Sequence, residues 1–507
     1  MGRNAFRLAA IAAVAVATIV PLAVPASANT YQTTSVVQAS GPSPFANCDD
    51  SGQQGTITVN SELEPWVAVN PTDPSNIIGV YQQDRWSNGG AHGLVAAISH
   101  DGGQTWSHTW AHFSTCSGGT PENGGDYERA SDPWISFSPG GDAYWISLSV
   151  DFFKDSLNGV LVSKSSDGGD HWSEPTTLVQ NDASQAPFMF NDKESITADP
   201  FDSNFVYAIW DRSRFPSDSV SGSTGFSHAY RGDIIFTRTT DGGRTWEPAR
   251  AIFHPRSNRF PIGDQITVLP DGTLVDIFDL GQGSGNNRPG FSEQAIISHD
   301  HGATWTAPIK IDDERAVATF DPDTGAGVRS GAGLPDVAVD LNSSSPGYGN
   351  LYAVWADAAS TAKHHKGAYD SIVLSMSTDG GLTWTKKAEI DQSPGGVQAF
   401  TPSVDVAQDG TVGVDYYDFR NNTPDPGVPT DRWFIHCHPS TDCTNPSNWS
   451  ENHVAGPFDI ELAPVARGYF LGDYEGLDHV GLVFRSLFAQ TTDSDPDNAY
   501  LATIAPV

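Results

Sequence analysis

Ser99-His100-Asp101-Gly102-Gly103-Gln104-Thr105-Trp106 is the first copy of a pattern that recurs along the chain. It returns at Ser165–Trp172, Thr239–Trp246, Ser298–Trp305 (with His301 in place of a glycine) and Ser377–Trp384. The shared aspartates are Asp101, Asp167, Asp241, Asp300 and Asp379, spaced roughly 60–80 residues apart, too regular for chance and too long for a solenoid repeat. Each copy reads as a tight turn. Its carboxylate can accept from backbone N–H groups of its own turn, its glycines take positive φ, and its tryptophan packs between sheets. Near-identical copies spread through a repeat array are structural, because a catalytic site needs different residues converging at one point.

A second repeat precedes each turn: an acidic or polar residue, an alternating apolar strand, a turn, and a second apolar strand. Copies begin at Glu64-Pro65-Trp66, Asp132-Pro133-Trp134, Asp192-Lys193-Glu194, Asp264-Gln265-Ile266, Pro335-Asp336-Val337, Pro402-Ser403-Val404 and Asp473-Tyr474-Glu475. Period-two alternation between Asn-Pro, Asp-Pro or Asp-Gly turns makes each a hairpin. The first unit is then four strands: Trp66–Val69, Ile77–Gln82, Leu94–Ser99 and Trp106–Phe113. The last unit lacks the Asp pattern. Its strands fall near Val480–Phe484, Phe488–Thr491 and Tyr500–Ile504, and the N-terminal segment Thr33–Gln38 is expected to complete it, removing free edges. The expectation is all-β: a seven-bladed β-propeller of four-stranded antiparallel blades, one domain over residues 29–507. Six blades with an irregular terminal segment is the alternative.

Residues 1–28 read as a secretory signal. Arg3 and Arg7 precede the mostly apolar stretch Leu8–Val24, and Ala26-Ser27-Ala28 is a small-residue cleavage site. The mature protein is expected to be secreted and monomeric. Four cysteines fit an oxidising compartment. Cys437–Cys443 with Cys48–Cys116 is the simplest of three connectivities. The net charge of −34 (61 acidic against 27 basic residues) disfavours nucleic-acid and membrane partners. It leaves room for an anionic small substrate held by local arginines, and a structural calcium is compatible with it. No cofactor is required. His364-His365 is adjacent in a loop, and no HExxH pattern accompanies it, so no transition-metal site is expected.

The chemistry is expected on the face opposite the Asp turns. One acidic set begins the axial strands: Glu64, Asp132, Asp192, Asp264, Asp336 and Asp473. A second closes the following strands: Asp84, Asp151, Asp211, Asp279, Asp357 and Asp418. Capping and pairing with arginines account for part of both sets. Crowded like charges also raise some carboxyl pKa values while arginines lower others, which separates an acid from a base. Arg85, Arg212 and Arg420 follow second-set aspartates, and Arg129, Arg259, Arg329 and Arg467 lie shortly before axial strands. Guanidinium groups suit a substrate carboxylate. Long loops at 211–233, 281–291 and 418–432 shape this face. Trp86, Tyr127, Phe226 and Tyr469 could stack on a sugar ring. Tyr474, beside Asp473 and Glu475, could act as a nucleophile.

The Asp repeats resemble the sialidase superfamily of BNR/Asp-box proteins over essentially the whole mature chain. Gln83-Asp84-Arg85-Trp86, Arg129-Ala130-Ser131-Asp132-Pro133-Trp134, Asn191-Asp192-Lys193-Glu194 and Gly472-Asp473-Tyr474 look like secreted bacterial proteins of the exo-α-sialidase-like glycosyl hydrolase group. The resemblance implies a glycosidase releasing a terminal acidic sugar through a tyrosine nucleophile. The family's Arg-Ile-Pro motif is absent; Arg259-Phe260-Pro261-Ile262 does not match it. By position, Arg85, Arg212 and Arg420 would hold the carboxylate, with Arg129, Asp192 and Trp86 also contacting substrate. Tyr474 would attack with Glu194 or Asp473 assisting, and Asp84 or Asp132 would protonate the leaving group. A polysaccharide lyase on uronic-acid glycans and a non-catalytic glycan- or protein-binding propeller are the alternatives.

Overall fold

The innermost strand of each repeat unit touches the innermost strand of the next. The computed structural model describes residues 30–49, 51–151, 157–182, 184, 188–215, 231–256, 258–282, 290–358 and 368–507. Residues 1–28, read above as a signal, Phe226 and His364-His365 lie outside these residues, as do most of the loop 211–233 and much of the loop 281–291. Among the described residues, regular structure is strand with a few short 3-10 turns, and no helix is long and apolar enough to cross a membrane.

Hydrogen bonding divides the strands into runs of four. One twelve-stranded sheet contains three such runs, and four further sheets have four strands each. The innermost strands are Ile57–Val69, Arg129–Phe137, Phe188–Ala198, Arg259–Val268, Asp336–Val339, Ala399–Val406 and Gly476–Val480. A named contact joins each to its successor. Trp66 stacks on Trp134 with ring centroids 3.3 Å apart. Ala198 N donates to Ser136 Oγ (3.1 Å), Ser195 Oγ to Asp264 O (2.8 Å) and Gln265 Nε2 to Pro335 O (3.0 Å). Val404 N donates to Asp336 Oδ2 (2.8 Å) and Ser403 Oγ to Glu475 O (2.6 Å). Val69 N donates to Asp478 Oδ2 (2.7 Å), which returns the series to its first strand.

The last unit is completed from the other end of the chain. Tyr31–Gln38 pairs antiparallel with Asp495–Pro506, in the register Tyr31↔Pro506 to Gln38↔Tyr500. The expected boundaries there are corrected: Val480–Val483 is the turn, and Val483–Thr492 is one strand. Both expected disulfides form, Cys48–Cys116 and Cys437–Cys443.

The Asp turns behave as their chemistry requires. Asp101 Oδ1 accepts from Gln104 N (3.0 Å), Thr105 N (2.9 Å) and Ser99 Oγ (2.8 Å), and Oδ2 accepts from Thr105 Oγ1 (2.7 Å). These donors hold its carboxyl down to about 2. Gly102 N reaches Ser75 O (2.8 Å) in the first turn of the same unit, so both turns share one face.

At the other face five innermost strands carry the same irregularity. Pairing slips between Leu63 and Trp66, Ser131 and Trp134, Asp192 and Ser195, Ile262 and Gln265, and Phe400 and Ser403. The slipped residue is left-handed in each: Glu64 (φ 51), Asp132 (φ 52), Lys193 (φ 48), Gly263 (φ 75) and Thr401 (φ 50). Such bulges re-aim side chains, and left-handed non-glycine residues cost of order 1–3 kcal/mol each.

Candidate active site

The bulges turn Glu64, Asp132 and Lys193 toward one another. Lys193 Nζ lies 3.0 Å from Glu64 Oε1, 3.2 Å from Asp132 Oδ2 and 2.8 Å from Asp473 Oδ2. Arg329 Nε donates to Asp473 Oδ1 (2.9 Å), and a second guanidinium nitrogen pairs with Oδ2. All five side chains are buried or nearly so.

A small sheet outside the repeat units makes this meeting possible. Gly327–Arg329 pairs antiparallel with Thr319–Phe320 and parallel with Tyr469–Phe470. It joins the segments entering the fifth and seventh units and places Arg329 beside Phe470, with its guanidinium 4.0 Å from the ring centroid. Arg85 reaches the same ring at 5.1 Å. Burial, then the charge of Arg329, lowers Arg85 to about 10. Burial and Arg329 likewise lower Arg467, which Asp473 and Asp192 act to raise. Arg329 is thus the guanidinium whose charge acts on both Arg85 and Arg467.

The adjoining pocket is lined by Trp66, Trp134, Lys193, Glu194, Asp264, Asp473 and Tyr474, among others. On the Asp-turn side the axis opens into a wider cavity of about 780 Å³, bordered by residues of all seven innermost strands.

The carboxyls separate into two groups. Burial pushes Asp132 and Asp473 up, but cations outweigh it: Lys193 holds Asp132 below its ordinary range, and Arg329 with Lys193 holds Asp473 well below. Burial dominates elsewhere. It raises Glu64 to about 7 against the pull of Lys193, and Asp192 to about 7 with help from Asp132. Burial and Asp132 raise Glu194 well above the usual range, and burial raises Asp264 similarly. Among the described residues, neither side-chain oxygen of Glu194 or of Asp264 has a hydrogen-bond partner. Tyr474 donates to Pro133 O (3.1 Å), and burial with the charge of Glu64 pushes its phenol well above the usual range.

Other residues singled out from the sequence lie elsewhere. Asp84 is fully buried and accepts from Ser43 Oγ (2.6 Å) and Asn60 N (2.7 Å), with His92 Nδ1 at 2.9 Å. Arg129 is held by Gln53, Asn88, Gly89 and Gln54, and its guanidinium covers buried Trp86. Arg212 faces Asp233 at 3.7 Å. Arg420 binds Asp418 (2.6 Å) and Glu451 (2.6 Å) and lies over Trp433. Arg85, Arg212 and Arg420 thus share no partner. Tyr127 is 1% exposed and is structural packing. Glu475 diverges from Tyr474 as strand alternation requires, toward Arg432 (2.9 Å) and Tyr417. Lys193 and Arg329 carry the centre of the cluster. In the sequence Lys193 stands in a repeat start and Arg329 shortly before an axial strand, and nothing in the spacing shows that Gly327–Arg329 pairs with Tyr469–Phe470.

The BNR/Asp-box repeat family matches residues 97–108, the first Asp turn. A sialidase of Clostridium perfringens is 27% identical over 176 residues, 33% of this chain and 43% of that protein. The chain thus spans less than half the length of this curated relative. Among solved structures, a Penicillium chrysogenum alpha-L-arabinanase is similar over 94% of this chain and 98% of its own, at 12% identity and TM-score 0.48. A Hadza microbial sialidase is similar over 71% of this chain and 63% of its own, at 16% identity and TM-score 0.43. The five Asp turns and the family match show that the chain carries BNR/Asp-box repeats, and part of its sequence is similar to a sialidase.

Proposed function

We propose that the protein is a secreted, exo-acting glycoside hydrolase that releases a terminal acidic sugar. It works at the axial pocket of a single-domain, seven-bladed β-propeller over residues 29–507. The observation that carries this reading is one buried cluster: Lys193 and Arg329 bind Asp473, while Glu194, which lines the adjoining pocket with Tyr474, has no partner on either oxygen among the described residues. The similarity to a sialidase supports the reaction class. The cyclic contacts of the innermost strands support the propeller, and residues 1–28 with two disulfides support export.

In this reading Arg329 and Arg467 bind the acid group of the sugar, and Arg85 adds positive potential from beneath. Trp66 and Trp134 form the apolar wall. Glu194, kept protonated by burial, donates its proton to the leaving oxygen as the glycosidic bond breaks. Tyr474 leaves its bond to Pro133 O and attacks the anomeric carbon. Its phenolic proton passes to Glu64, a carboxyl poised near 7. Water then hydrolyses the tyrosyl intermediate.

The test is release of free acidic sugar from aryl glycosides of sialic and uronic acids by wild type and by Tyr474→Phe. Hydrolysis that the folded Tyr474→Phe variant retains in full excludes the nucleophile assignment. An unsaturated, ultraviolet-absorbing product from a uronic-acid glycan would establish a lyase instead. Binding without turnover would make the pocket a lectin-like site.

A further inference from the structure

The fourth unit holds a second group of carboxyls that the axial site does not use. Asp279 lies on Leu274–Gln282, Glu293 on Phe291–Ser298 and Glu314 at the end of Ile309–Glu314. Asp279 and Glu293 are directly opposed in the antiparallel register, and like charges so opposed destabilise a sheet. One oxygen from each of the three residues lies within 4.8 Å of the other two.

Glu293 is the independent observation. It is 0% exposed, and neither of its oxygens has a hydrogen-bond partner among the described residues. Asp279 is 4% exposed with Oδ1 unpartnered, and Oε2 of Glu314 is also unpartnered. The nearest lysine does not answer this need, because Lys387 Nζ is bound to Asp357 and to the carbonyl of Asp313. Burial pushes all three carboxyls upward, helped by Glu314 at Asp279, by Asp279 and Glu314 at Glu293, and by Asp357 and Asp370 at Glu314. Buried carboxylates left without a donor or cation are costly, and a bound cation supplies what the described residues do not.

We propose that Asp279, Glu293 and Glu314 bind a divalent cation of the calcium type. The donor set is entirely oxygen, which selects a hard ion over zinc or copper. Ca–O distances of about 2.3–2.6 Å put opposite ligands roughly 5 Å apart, so the three oxygens fit one calcium shell. Backbone carbonyls and water would complete it. The ion would clamp three adjacent strands of one unit at the end nearer the axial site.

The experiment uses the full chain treated with EDTA and then dialysed. Calcium binding is measured by isothermal titration, and thermal unfolding is recorded in CaCl2 and in EDTA. We expect calcium to raise the unfolding temperature. Glu293→Gln and Glu314→Gln should each bind one calcium fewer per chain, or bind that ion at least about tenfold more weakly. Glu314 is partly exposed, so its variant decides the matter if Glu293→Gln does not fold. A second acidic group, Asp405, Asp478 and His479, provides the control, and Asp478→Asn should keep the response. Absence of calcium binding by wild type overturns the proposal. So does full binding by the folded Glu variants, or a loss confined to Asp478→Asn. None of these readouts depends on glycosidase activity.

Discussion

Lys193 Nζ stands 2.8 Å from Asp473 Oδ2, which ties the third innermost strand to the entry of the seventh. The same ammonium reaches Glu64 and Asp132 on the first and second strands. One cation therefore organises carboxylates from separate repeat units. A buried charge cluster is poor evidence of net stability, but removing one member strands the others. Lys193→Met should cost about 3–5 kcal/mol by urea unfolding. Adding Asp473→Asn to it should recover part of that loss. Simple additivity of the two changes would mean that they do not share a charge balance.

Glu194 has the opposite character, being buried with no partner on either oxygen among the described residues. Glu194→Gln keeps its shape and removes only the titratable proton. Activity should fall by about 10²–10⁴-fold, the usual contribution of a general acid. The unfolding temperature should stay level or rise. A variant that loses stability along with activity would point to a structural role.

The raised carboxyls set a pH dependence of stability with a definite sign. Glu64 and Asp192 titrate at about 7 and Asp336 at about 8 in the folded protein, against ordinary values of 4.5 for Glu and 3.8 for Asp. Between those limits the folded chain keeps protons that the unfolded chain has released. Stability from these groups is thus complete below the ordinary values and declines as pH rises toward 8. The Asp turns act the other way. Asp101, Asp241 and Asp300 sit at about 2, so their contribution is present above 3.8 and is lost as pH falls through 2. Thermal unfolding between pH 2 and 9 should peak at about pH 4 and fall on both sides. A plateau that extends through pH 8 would contradict this.

Two arginines separate recognition from scaffolding. Arg329→Ala should raise KM for an acidic substrate by about 10–100-fold, the loss of a charge-assisted contact. A neutral analogue should be affected much less. Arg420→Ala breaks ion pairs with Asp418 and Glu451 and should lower the unfolding temperature with KM unchanged. The reverse pattern would relocate the acid-binding site.

Ser99 tests the Asp turn itself. Its buried Oγ donates to Asp101 Oδ1 and accepts from Gly103 N, both at 2.8 Å. Ser99→Ala should cost about 1–2 kcal/mol by urea unfolding and leave kcat unaltered. A change in kcat would bring the Asp-turn face into the chemistry.

The repeat could be read without coordinates because its causes are local. Asp101 is satisfied by Thr105 and Ser99 within its own turn, so the turn is written in eight consecutive residues. Strand alternation likewise showed where each unit begins. Missing strands at one end of the chain and a spare strand at the other foretold the pairing of Tyr31–Gln38 with Asp495–Pro506. The cluster was less legible. Arg212 directly follows its aspartate as Arg85 does, and Arg420 lies one residue further on, yet they bind Asp233 and Glu451. Position within a repeat fixes which end of a strand a residue occupies, not which residue from another unit it meets.

The linear chain thus determined an all-β repeat array, the turns that hold it and the face where its acids gather, since each depends on neighbours a few residues apart. Only the tertiary structure decided which of many similar acids and arginines share one pocket. Lys193 meets Asp473 because bulges re-aim the axial strands and because Gly327–Arg329 pairs with Tyr469–Phe470, more than a hundred residues away in sequence. Coulomb forces and desolvation act through space, so the pKa splitting that would separate an acid from a base exists only once those segments are brought together.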